Sequence, residues 1–163
     1  MPVKQLVYAM VIFLHDLFTA IWVGGLTTLG LAVLPAARKV LGKGPQTKQL
    51  MDAIQKRLST LVYASIVGLV LTGLLQARRS PAFLGLFSFG NAYSTVLALK
   101  HILVLAMIAV ALYRSLVLGR LRGPSSPAQE KLSAGLLFLN ISLGTIILLL
   151  SGLSAALASG PAA

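Results

Sequence analysis

The sequence predicts an all-α integral membrane protein built as a four-helix up-down-up-down bundle. Three observations lead there. Of 163 residues, 57% are hydrophobic and 10% charged, against about 25% charged in a soluble domain. The mean hydropathy is +0.90. Four apolar segments each reach the roughly 20 residues a helix needs to cross a bilayer. None alternates as a membrane strand does. Within lipid, only helices and closed barrels satisfy their own backbone groups.

The first span, about 5–37, runs from near Gln5 past Pro35. Its apolar core is too long for a signal peptide and no small-residue cleavage site follows a short core, so it reads as an uncleaved span. The second is most apolar over Leu58–Ala77. Its helix is expected to start at Thr47, as N-cap after the breakers Gly42, Gly44 and Pro45, giving 47–78. The third is expected at 92–121. The fourth, 128–158, follows the turn Gly123-Pro124-Ser125-Ser126-Pro127. The whole chain, 1–163, reads as one domain. Each half is a hairpin whose first helix carries one histidine, and no residue-level repeat accompanies that echo.

Charge sets the orientation. Lys and Arg number 14 against 3 Asp and Glu, a net charge of +11. That excess is not a nucleic-acid signature, because the basic residues gather between apolar runs as topology requires. Arg38, Lys39, Lys43, Lys48, Lys56 and Arg57 join spans one and two. Arg114, Arg120, Arg122 and Lys131 join spans three and four. The other side has Lys4, Arg78 and Arg79. The positive-inside rule then predicts a multi-pass protein of the plasma (cytoplasmic) membrane with basic loops cytoplasmic and both termini outside. The outer loop, with Phe83, Phe87 and Phe89, is expected at the membrane surface or dipping back as a cap. The basic inner loops suit lipid headgroups.

The chain has no cysteine, so disulfides, thiolate metal sites and iron–sulfur clusters are excluded. Chemistry therefore falls to His15 and His101, the two histidines. An ionisable residue at membrane depth is expensive and marks a functional site by default. Each histidine lies about ten residues inside its span, hence roughly 15 Å deep at 1.5 Å per residue. Helices one and three are diagonal and parallel in such a bundle, so the two imidazoles are expected to face each other. That pairing suits the axial ligation of a b-type haem. The bland alternative is that each imidazole bonds a neighbouring helix. Gly68, Gly73, Gly144, Ser151, Gly152 and Ser154 would leave room for a flat macrocycle. Arg78 and Arg79 would hold its propionates. Asp16 and Lys100 are expected on one flank as an ion pair, with Asp16 also able to accept from an imidazole N–H. The alternative for Lys100 is to snorkel outward. Tyr8, His15 and Trp22 recur every seven residues as one face. Gly24, Gly25 and Gly30 predict close helix approach. Asn140, Ser142 and Thr145 are read as hydrogen-bonding glue between helices. Met10 and Met107 raise copper, although neither lies a helical repeat from its nearest histidine.

The pattern His15-x6-Trp22-Val23-Gly24-Gly25, then Leu34-Pro35 and a basic pair, resembles the copper-resistance protein D (CopD) family. Lys100 followed by an apolar run to Tyr113-Arg114 resembles that family's lysine-bearing helix. The plan is also similar to the HemJ-type protoporphyrinogen oxidases of haem synthesis. The resemblance implies copper handling in one case, and haem binding with porphyrinogen oxidation in the other. It carries over to His15, Trp22 and Lys100; His101 matches neither pattern and rests on its depth alone. This chain has no Met- or Cys-rich entry site for copper. The leading expectation is a haem b held by His15 and His101, serving electron transfer to a quinone, or to another membrane or redox subunit in the bilayer. Copper uptake or tolerance with the same histidines as metal ligands, a porphyrinogen-oxidase-like enzyme in which Lys100 or Arg78 grips substrate carboxylates, and a structural subunit or homo-oligomer stand beside it.

Overall fold

The computed structural model describes residues 2–117 and 126–159. All regular structure in them is helical, in four long helices: α1 Val3–Leu41, α2 Pro45–Ala77, α3 Ala92–Val117 and α4 Pro127–Ser159. All four are long and apolar enough to cross a membrane. Arg120, Arg122 and the turn from Gly123 to Ser125 lie outside the described residues.

The helices alternate in direction, as their contacts show. Along α1, Phe18 covers Gly68 of α2, and further inward Gly25 meets Leu58. Val23 and Met107 both touch Gly144 of α4, while Gly30 meets Leu137 and Ile141. Numbers rise on one helix as they fall on the next. A Cβ on Gly25 would come within 2.7 Å of Leu58, and one on Gly30 within 2.6 Å of Ile141. Those two glycines set the helix spacing, as the small-residue pattern predicts. Gly24 faces open space and takes no part.

All four helices contribute to one core: Trp22, Leu26 and Leu29 from α1, Val62 from α2, Met107 from α3, and Leu137 and Ile147 from α4. Outside it, Leu6, Val67, Leu71, Leu105 and Leu149 are exposed. Outward-facing apolar side chains belong against lipid.

α1 and α2 have 39 and 33 residues, so they run about 58 and 50 Å at 1.5 Å per residue. Both exceed the ~30 Å hydrocarbon layer. Their polar ends therefore continue past it as a helical hairpin turned by residues 42–44. Gly42 makes the turn at φ 74°, a conformation that favours glycine. Thr47 is not the N-cap expected from the sequence. Gly44 is the cap, Pro45 opens the helix, and the Thr47 hydroxyl donates to the Gly42 carbonyl at 2.7 Å. Proline suits the first helical position because its missing N–H needs no partner there.

Three widened π-helical turns interrupt the helices: Ala20–Gly24 and Leu29–Val33 in α1, and Tyr113–Val117 in α3. The second precedes Pro35, which cannot donate to the carbonyl four residues back; α1 widens and continues. Such turns are rare and shift which side chains face inward.

Candidate functional site: an intramembrane histidine seam

α3 packs most closely on α4, and α1 on α2. This leaves a seam of looser packing between α3 and the α1–α2 pair, in the half of the bundle nearer the loop between α2 and α3. His15 lies on α1, and Lys100 and His101 on α3. Relative to Gly144, which touches Val23 and Met107, His15 stands about 12 Å and His101 about 9 Å toward the end of the bundle that carries the loop between α2 and α3, at the helical rise.

Each imidazole is held through Nδ1. His15 Nδ1 lies 2.9 Å from the Thr72 hydroxyl of α2. Thr72 has one hydroxyl proton, and its Oγ1 lies 2.6 Å from the Gly68 carbonyl. With that proton spent on Gly68, the hydroxyl accepts from His15, so Nδ1 carries the hydrogen. His101 Nδ1 lies 2.6 Å from the Leu97 carbonyl, which can only accept. Both rings are thus assigned the Nδ1–H tautomer, and both keep the Nε2 lone pair for a ligand. Imidazoles that bind metals are oriented in this way, by a second bond from the other nitrogen.

The loop between α2 and α3 reaches His101. Asn91 caps α3, accepting from Ser94 N–H at 2.7 Å and donating to the Ala82 carbonyl at 2.8 Å. Buried Ser94 adds a second bond to Ala82, at 3.1 Å, and accepts from Leu84 N–H. Stapled there, the loop sets the Phe87 ring edge-on to His101, with centroids 6.1 Å apart. At the outer end of α1, the Arg79 guanidinium stacks 3.9 Å over the Tyr8 ring, a cation–π contact on the face that carries His15. Arg78 is exposed at the end of α2.

Lys100 is half-buried and within electrostatic range of His15 and Asp16. Asp16 is exposed. The fold therefore brings His15, Asp16 and Lys100 together, and places His101 with Phe87. Trp22 sits seven residues inward of His15, in the core at 2% exposure. Gly73 borders the His15 ring, whereas Phe18 fills the space at Gly68, and Val23 and Met107 fill that at Gly144. Ser151 and Ser154 bond carbonyls of their own helix. Met10 is exposed and Met107 lies in the core. Among the described residues no three His, Cys, Asp or Glu side chains form a metal-binding group.

Comparison with protein-family models, with curated proteins and with solved structures gives no match. The functional reading therefore rests on the seam itself.

Sequence reasoning passed over a second polar cluster, inward of the first. Arg114 is not a loop charge: the widened end of α3 turns it inward, to 6% exposure. Asn140 is fully buried, and neither amide atom has a partner among the described residues. It is therefore not glue between helices. Ser142 is exposed, and Thr145 bonds its own helix at Ile141. Trp22 Nε1, Tyr63 OH and Arg114 Nε are also buried without partners. The available signals were an asparagine deep in an apolar span and an arginine inside the helical run rather than past it.

Proposed function

We propose that this multi-pass membrane protein holds a b-type haem between His15 and His101 and carries electrons through the bilayer to a quinone or a partner redox subunit. The observation that carries the reading is that both imidazoles bond the fold through Nδ1, at Thr72 and at the Leu97 carbonyl, an arrangement that leaves Nε2 of each ring to a ligand. A haem would bring four nitrogens of its own and ask the protein for few further ligands, which His15 and His101 would supply. Two histidines at similar depth on parallel helices meet that demand.

A bound haem supplies a one-electron couple. The chain's own residues do the rest. His15 and His101 hold, and Thr72 and the Leu97 carbonyl fix the ring orientations. Arg79 and Lys100 are the cations available to propionates. The apolar core beside the seam keeps water from that side of it.

Haemin titration of the purified protein tests this. The account expects saturable binding and, on reduction, the split α and β bands of a six-coordinate haem. A colourless protein that binds no haemin overturns it. If His15→Ala alone abolishes binding, the site is five-coordinate and the porphyrin-oxidation reading takes first place.

A further inference from the structure

We infer that the partly open cavity beside Trp22 and Arg114 is a binding site for one small monovalent inorganic anion of chloride's size. The cavity is separate from the histidine seam. Trp22, Tyr63, Arg114 and Asn140 line it, with Ser59 and Ser115.

Four features carry the inference. First, the unpartnered polar atoms are chiefly donors. Trp22 Nε1 and Arg114 Nε can only donate, the Asn140 amide offers two hydrogens, and the Tyr63 hydroxyl offers one. Three of these residues are more than nine-tenths buried, at 2%, 6% and 0% exposure for Trp22, Arg114 and Asn140. Second, among the described residues the lining includes Arg114 and no carboxylate. A buried arginine without a counter-charge is costly, and an anion supplies both charge and acceptors. Third, all three π-turns place lining residues: Trp22 in Ala20–Gly24, Leu29 in Leu29–Val33 and Arg114 in Tyr113–Val117. Widened turns re-aim side chains and gather at functional sites. Fourth, the cavity measures about 30 Å³ for the centre of a water-sized sphere. One water needs roughly 10–15 Å³ on that measure, so there is room for one halide-sized ion.

Trp22 is the only tryptophan, and its N–H lines the site, so its fluorescence reports on the cavity. The experiment titrates iodide into the full-length protein in detergent, at constant ionic strength, with chloride as competitor. The account expects saturable quenching that chloride relieves. Arg114→Gln should weaken the midpoint about tenfold, the cost of one charge-assisted contact, and Arg114→Lys should retain most of it. Asn140→Leu, which replaces an unpartnered amide by an apolar group of similar shape, should also weaken iodide while leaving the helical circular dichroism unchanged. Quenching linear in iodide and indifferent to chloride overturns the proposal. So does an Asn140→Leu protein, folded by circular dichroism, whose curve matches the wild type; the cavity then holds water alone.

Discussion

His15 and Thr72 are seen from one side in the sequence and from the other in the structure. A histidine at membrane depth announces itself; the hydroxyl that orients it does not, because a threonine in an apolar helix usually bonds its own backbone. Thr72 does both, donating to Gly68 and accepting from His15. Thr72→Val keeps the shape and removes the acceptor. Loss of such an orienting partner lowers metal-site affinity about 10–100-fold, and haemin titration should show a fall of that size, with Thr72→Ser restoring it. An unchanged midpoint would mean that Thr72 does not position the ring. Asp16 and Lys100 were readable as charges on one flank, but the exposure of Asp16 was not. Its face depends on which side of α1 packs, and that is decided by neighbours distant in sequence.

At the scale of helices, glycine spacing was legible and its consequences were uneven. Gly25 and Gly30 pack against α2 and α4, while the adjacent Gly24 faces open space. Gly30→Leu should therefore cost about 1–3 kcal/mol through overpacking. Gly24→Ala should stay within about 0.5 kcal/mol of wild type, or gain slightly in helix propensity. Thermal denaturation in one detergent distinguishes them; equal losses would refute the packing described. The widened turns were not legible. They reflect competition between backbone hydrogen bonding and side-chain packing, and no local composition marks them apart from Pro35. Arg114 was misplaced for that reason: an arginine near the end of an apolar run reads as a loop charge, and only the widened turn brings it inside. Thr47 was misread more simply, since Gly44 and Pro45 form a helix start without it.

For the whole molecule, hydropathy and length sufficed to give four spans and their alternation, because lipid permits so few alternatives. What they could not give was the unequal packing of the helices, with α3 chiefly against α4 and α1 chiefly against α2. Orientation is a separate prediction, and the cysteine-free sequence makes it clean to measure. In intact cells, Ser88→Cys should react with a membrane-impermeant maleimide, and Lys43→Cys should react only after permeabilisation, by the positive-inside rule. The reverse pattern would invert the topology and put the histidine seam in the cytoplasmic half. The arrangement as a whole stands or falls on two imidazoles sharing one iron. The most direct measurement is the low-temperature electron paramagnetic resonance spectrum of the ferric protein, beside His15→Ala and His101→Ala. The account predicts a low-spin bis-imidazole signal in the wild type and conversion to high spin, or loss of haem, in each variant. A His101→Ala spectrum identical to the wild type, or a wild type with no haem signal after reconstitution, would contradict it.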